Sequence, residues 1–349
     1  MALLLLLAAC AAWLLCKRRA ASRRGHATGG TGDLESCSTT VGSSAQQEAE
    51  VVLAEGMPGN WLLQPGDVEL AQDSDGSLAH GRLCRGLLHR STEVGVKPVL
   101  GIASASDQRA LAHELRVLAR LRHPCVVQLL GVVAAEAGGV QLVLEWAGDT
   151  DLRSFVLDRR VSGAFQEQIE ALQAVRAPGK PEKQVHEHQV LLDVVRAMAY
   201  LHGQKPAVLQ RGLRPSGILV ETDVQPPRAK LADARLDVLS LADRRPAGVA
   251  ETSGPYVAPE VVLGGAYGPG ADVYAFGCVD FFTCTAKEPR PPSVLQQLRE
   301  ERARGGFEGL ERAARAAEAC LAEQPEERPS FQAIFACMDW GQAPAGPPL

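Results

Sequence analysis

Aromatic side chains are scarce in this sequence, at 5% of 349 residues. Any core must therefore be packed mainly from Leu, Val and Ala. Long runs of one charge sign are missing too. The net charge of −5 is spread along the chain, and no basic stripe of the kind that neutralises a phosphate backbone is present, which argues against a nucleic-acid partner. Paired cysteine spacing is also lacking. Nine cysteines are scattered with no CxxC pair, so neither a disulfide framework nor a zinc site is indicated, and reduced thiols in a cytosolic domain are the plain reading. What remains is an ordinary globular balance, 46% hydrophobic and 22% charged. It is enough for one large domain or two modest ones.

The N-terminus departs from that balance. "ALLLLLAACAAWLLC", Ala2 to Cys16, is unbroken apolar sequence followed by Lys17, Arg18, Arg19, Arg23 and Arg24. A spanning helix wants about 20 apolar residues, so the run is short. Signal peptides carry their positive charge before the apolar stretch, whereas here it follows. That order predicts a single-pass anchor in residues 1–24 with the body on the cytosolic side. A cleaved signal ending near Ala20-Ala21-Ser22, or a start lying further upstream, are the alternatives. Residues 25–60 are rich in Gly, Ser, Thr, Ala and Gln without apolar period and read as a flexible linker. The folded body is expected over 61–340, and 341–349 is expected to be a disordered tail.

Within the body, Ser91–Leu100 alternates and is β-branched, which predicts a strand. Asp107–His123 has helical period, with Leu111, Leu115, Leu118 and Leu121 on one face. "CVVQLLGVV" and "VQLVLEWA" read as strands, and the pattern turns helical after Asp151. Glu187–His202 reads as a buried helix, "GILVE" and "AKLAD" as short strands, and helices dominate after Val261. Strands first and helices after imply two lobes of different class with a cleft between them.

The order of these fragments resembles a eukaryotic protein kinase domain, and is most similar to the tyrosine-kinase-like branch. "VGVK", "LRHPCVVQLLG", "YLH", "LRPSGILV", "AKLAD", "YVAPEVV", "ADVYAFG" and "ERPSF" follow in the family's sequence and spacing. The resemblance implies an α+β, two-lobed fold: a small β-rich N-lobe with one main helix, and a larger helical C-lobe. It implies weak binding of ATP and Mg²⁺. Lys97 would reach the nucleotide phosphates and Glu114 would hold Lys97. The backbone of Glu145 and Ala147, next to Leu144, would face an adenine edge. Gly76 and Gly81 would form the phosphate lid, although Leu78 stands where a third glycine belongs and obstructs close backbone approach. Asp233 would hold a metal, although Ala234 and Arg235 replace the Phe and Gly that follow it in the family.

The catalytic loop departs furthest. The family reads His-Arg-Asp-Leu-Lys-Pro-x-Asn, whereas Gln210 to Gly217 reads "QRGLRPSG". Gly212 replaces the proton-accepting Asp and Gly217 the metal-binding Asn, so no catalytic set is intact. Losing a positioned base typically costs about 10²–10⁴ in rate. By the same resemblance Glu260 would pair with Arg328, and Asp272 would tie its helix to the catalytic-loop backbone. Ser240, Thr252, Ser253 and Tyr256 would lie in the activation segment. An insertion, "GAFQEQIEALQAVRAPGKPEKQVHEH", is longer than the family needs and reads as a solvated loop or a partner site.

The expectation is a membrane-anchored pseudokinase, an allosteric or scaffolding signalling module with protein partners (an active kinase among them) and the membrane. The alternatives are a weakly active ATP-dependent Ser/Thr/Tyr protein kinase, with Asp237 or Asp223 standing in for the base, or a nucleotide sensor without turnover.

Overall fold

The computed structural model of the chain describes residues 61–71, 83–99, 105–134, 140–159, 183–232, 254–305 and 310–338. The chain divides into Met1–Thr39 and Thr40–Leu349, and all described residues belong to the second unit. The apolar run, the linker 25–60, Gly76, Leu78 and Gly81, insertion residues 163–182, Asp233 to Ser253 and the tail lie outside the described residues.

The small lobe is a six-stranded sheet. In chain order its strands are β1 (Leu62–Leu63), β2 (Val68–Leu70), β3 (Cys84–Leu88), β4 (Thr92–Val99), β5 (Leu129–Ala134) and β6 (Val140–Glu145). They lie side by side as β1-β5-β6-β4-β3-β2. The β-branched run that predicts β4 places it between β3 and β6. Val94 and Val96 pack with Val133 and Val143 on one face of the sheet. The other face contributes to the main core, which also takes in α1 (Ala105–Arg120). Leu111, Leu115 and Leu118 of α1 are buried at helical spacing, as their period predicts.

The larger lobe is helical. A helix at residues 152–159 begins where the Asp151 carboxylate accepts the Ser154 amide at 2.6 Å, an N-terminal cap; we call it α2. The helices α3 (Lys183–His202), α4 (Pro259–Val262), α5 (Pro269–Thr285), α6 (Val294–Ala303), α7 (Glu311–Cys320) and α8 (Phe331–Met338) follow. Helix α3 starts four residues before the expected Glu187. A three-stranded sheet of β7 (Thr150–Asp151), β8 (Ile218–Glu221) and β9 (Arg228–Leu231) lies in this lobe. The segment after α1 is bonded to it: the Val127 amide donates to the Leu231 carbonyl at 2.8 Å, and the Leu231 amide to the Cys125 carbonyl at 2.9 Å. Those bonds stitch the small lobe to the strand that leads into Asp233. Helix α5 is buried along nearly its whole length. Gly277 allows α7 to close on it, since a Cβ there would meet Cys320 Cβ and Leu321 Cγ at 2.9 Å.

The expected membrane anchor requires correction. Among the described residues no helix is long and apolar enough to cross a membrane. The apolar helix α5 has 17 residues and buries Asp272 and Asp280, and the 20-residue α3 carries Lys183, Glu187, Asp193 and Arg196. A span needs about 20 predominantly apolar residues. The expected single-pass placement, the membrane as a partner and the membrane-tethered scaffold are thus not supported.

Candidate functional site

The catalytic loop is built around one buried carboxylate. Asp272, in the first turn of α5, has no exposed surface. Its Oδ2 accepts the Gln210 amide at 2.8 Å and its Oδ1 the Arg211 amide at 3.0 Å. The Tyr267 hydroxyl donates to Oδ1, and His202 Nε2 to Oδ2 at 2.8 Å. Burial first, and then the facing Asp272 charge, push the Tyr267 phenol well above its ordinary range, so it remains a donor. These bonds hold Arg211 at φ 67°, a conformation that costs a side-chain-bearing residue about 1–3 kcal/mol unless its surroundings enforce it. The expectation that Asp272 fastens the loop backbone is met.

The two loop glycines keep the backbone path without supplying side chains. The Gly212 amide donates to Gln210 Oε1 at 2.6 Å, and Gln210 is buried. The Gln210 side chain thus turns back onto the backbone of the position that lacks a base. The Gly217 amide donates to the Arg214 carbonyl at 3.0 Å, and its carbonyl accepts the Ala232 amide at 3.0 Å.

Glu260 and Arg328 also meet as expected. The pair is bidentate, Nη1 to Oε1 at 2.7 Å and Nη2 to Oε2 at 2.9 Å. The remaining guanidinium protons reach the carbonyls of Ala322, Gly270 and Glu323 at 2.9–3.0 Å. Arg328 also lies 5.1 Å from the Tyr274 ring centroid. All five donors of the fork are used, which is the condition under which a buried ion pair is tolerated.

The nucleotide-facing positions are on the small lobe and the hinge. Lys97 is on β4, opposite Leu142 of β6. Glu114 is half-buried on α1. Glu145 ends β6, with its amide bonded to the Gln128 carbonyl at 2.9 Å. Its carboxylate is held by Lys230 of β9, which also lies 3.3 Å from Glu221. Ala147, the other hinge residue whose backbone was expected to face an adenine edge, is 1% exposed. Tyr256, expected in the activation segment, donates its hydroxyl to Glu288 Oε2 at 2.9 Å, and Arg153 binds the same carboxylate.

These residues fit the two implied ligands unequally. Lys97 and the hinge backbone suit a nucleotide: Lys97 would hold the phosphates and Ala147 the base. A second Mg²⁺ does not fit, because Gly217 brings no side-chain oxygen and both its backbone groups are already bonded. Among the described residues no group of three or more His, Cys, Asp or Glu could hold a metal ion. Asp233, the remaining candidate ligand, lies outside the described residues.

A β-rich small lobe, a helical large lobe and a loop hung from a buried aspartate between them define a protein kinase fold. The chain belongs to the protein tyrosine and serine/threonine kinase family, whose sequence pattern matches residues 69–338. It is similar to dual specificity protein kinase splA of Dictyostelium discoideum, 30% identical over 216 residues, covering 58% of this chain and 8% of that protein. It is similar to serine/threonine-protein kinase 12 of Arabidopsis thaliana, 27% identical over 290 residues, covering 78% of this chain and 56% of the relative. It is also similar to human receptor-interacting serine/threonine-protein kinase 3, 27% identical over 247 residues, covering 65% and 43%. The chain thus spans about half or less of the length of these relatives.

Three residues at the cleft escaped sequence reasoning: Leu83, Arg85 and Gly95. The signal was present at Gly95, where "VGVK" departs from the family's Val-Ala-Val-Lys. What the departure accommodates becomes visible only in the fold.

Proposed function

We propose that the chain is an ATP-dependent protein kinase of the Ser/Thr/Tyr family with strongly reduced turnover. The observation that carries this reading is a catalytic loop whose backbone is fully braced by Asp272 while the positions for the base and the second metal ligand, Gly212 and Gly217, have no side chains. Lys97, steadied by Glu114, would bind the nucleotide phosphates. The backbone of Glu145 and Ala147 would orient the base, and Gly76 and Gly81 would cover the phosphates. Asp233 would hold one Mg²⁺, whose contribution is to neutralise charge between the phosphate oxygens. Nothing at Gly212 takes the proton of an attacking hydroxyl, so that proton passes to solvent and the positioned-base contribution of about 10²–10⁴ is lost.

Radiolabelled phosphate transfer to a generic protein substrate tests this. Slow transfer is expected from the full chain, no transfer from Lys97→Ala, and a partial gain from Gly212→Asp combined with Gly217→Asn. Transfer that persists undiminished in Lys97→Ala would contradict the assignment. A nucleotide sensor without turnover is the second reading, favoured by the same two glycines. It is distinguished by a Mg²⁺-ATP thermal shift without transfer; a ligand at 100 times its Kd adds about 2.7 kcal/mol.

A further inference from the structure

The register of the small lobe fixes which side chains face the cleft. Cys84 pairs with Val96 and Arg85 with Gly95 in the antiparallel β3–β4 ladder. Directly opposed residues point to one face, and residues two apart along a strand share it. Leu83, just before β3, therefore shares a face with Arg85, Gly95 and Lys97. On β6, Leu144 opposes Gly95 and Leu142 opposes Lys97, which puts both leucines on that face. The valine cluster occupies the other face. Leu83 instead belongs to the main core together with Leu144, Ala147 of the hinge and Leu219 of β8.

Gly95 is where Leu83 finds its room. A Cβ at Gly95 would meet Leu83 Cδ1 at 2.9 Å and its Cγ and Cδ2 at 3.1 Å, closer than carbon atoms pack. The leucine lies in a notch that exists because this strand has no methyl there. Leu83, Leu144, Ala147 and Leu219 are each no more than 5% exposed. These four side chains, among them Leu144 and the hinge residue Ala147 that were expected beside the adenine edge, are thus covered by protein. Arg85 adds a second tie at the rim. Its guanidinium lies 5.5 Å from the Trp146 ring centroid and 4.0 Å from Asp149 Oδ1, both in the hinge segment, and Glu93 steadies it from β4.

We propose that Leu83 is a gate over the nucleotide slot. It fills the Gly95 notch, and Arg85 latches the same strand to the hinge, so that an adenine nucleotide enters only after Leu83 has swung out. The inference rests on the nucleotide reading above and adds the residue that sets its affinity. A site that is open only part of the time binds with its intrinsic affinity reduced by the open fraction. Shortening the gate therefore tightens binding. A methyl at Gly95 does the same by a different route, because the atoms it meets are the far end of a flexible side chain.

The test uses the full chain and trinitrophenyl-ATP with Mg²⁺, read by fluorescence. Leu83→Ala and Gly95→Ala are each expected to lower Kd at least about fivefold relative to the unaltered protein. Arg85→Met is expected to lower it less. A methyl NOE between Leu83 and the Gly95 α-protons is expected in the free protein, and its absence overturns the gate. Equal affinity in all four proteins overturns the gate while leaving the nucleotide reading intact. No binding by any of them overturns both. Thermal midpoints confirm that each variant is folded, and Gly95→Ala keeps the test decisive if Leu83→Ala does not fold.

Discussion

The two lobes secure their polar groups by different means. In the large lobe the decisive charges are buried and saturated: Asp272 receives four donors, and Arg328 spends its whole fork on Glu260 and three carbonyls. In the small lobe two of the ion pairs among the described residues lie at the rim. Arg85–Glu93 and Arg90–Glu69 are both largely exposed, and exposed pairs contribute little. The small lobe is held instead by side-chain shape, valines on one face and the Leu83 contact on the other. A backbone frame bonded from beneath tolerates the loss of side chains above it, which is how Gly212 and Gly217 can stand in an otherwise family-like loop. A lobe held by shape responds to single methyl groups.

The largest expected effect lies in the large lobe. Arg328→Met leaves Glu260 without its partner and three carbonyls without their donor. It should cost about 3–5 kcal/mol, read by urea denaturation. A loss below about 1 kcal/mol would show that the frame is not what braces this lobe.

The next effect is a pH dependence. Burial pushes the Asp280 carboxyl up to about 8, although the Cys284 thiol donates to it at 3.2 Å. Its Oδ2 has no hydrogen-bond partner among the described residues. An unfolded aspartate titrates near about 3.9. The folded state therefore binds the proton more tightly, and the stability tied to that proton is complete below about pH 3.9 and lost as pH rises through about 8. Asp280→Leu should remove this slope and stabilise the protein at pH 8 by on the order of a few kcal/mol. Stability profiles of the two proteins that stay parallel from pH 5 to 8 would refute it.

The smallest effect belongs to the small lobe. β1 runs parallel to β5, Leu62 beside Val132. Leu63 is seated against Gly131, where a Cβ would meet Leu63 Cδ1 at 2.5 Å. Trp61 lies 5.4 Å from the Arg122 guanidinium. Gly131→Ala should displace this strand at a cost of about 1 kcal/mol and alter the Trp61 fluorescence. An unchanged emission spectrum would mean that the strand accommodates the methyl.

Sequence reading reached the parts of the fold that repeat a pattern. β4, α1 and α3 follow from alternation and helical period, with ends that coincide or are offset by one to four residues where the apolar period does not mark the boundary. Asp272 and the Glu260–Arg328 pair were legible because they are fixed anchors of the family. The strand β1 was not, because its two residues carry no period. Asp280 was hidden inside an apolar helix, where nothing in the local sequence says that a carboxylate will be fully buried. The Leu83–Gly95 contact was hidden because it joins residues on different strands and depends on register. Lys97, Glu114, Glu145 and Ala147 were named from the family pattern, and the fold places Lys97 on β4, Glu114 on α1, Glu145 at the end of β6 and Ala147 in the hinge.

The central claim is that the loop keeps its frame and lacks its base, and the rate of phosphate transfer by the purified full chain measures it most directly. Active protein kinases turn over at about 1–100 s⁻¹, and a rate at least ~10²-fold below that range is expected here. The residual transfer should be abolished by Lys97→Ala and raised in part by Gly212→Asp with Gly217→Asn. Turnover of roughly one per second or more in the unaltered protein, lost in Lys97→Ala, would contradict it.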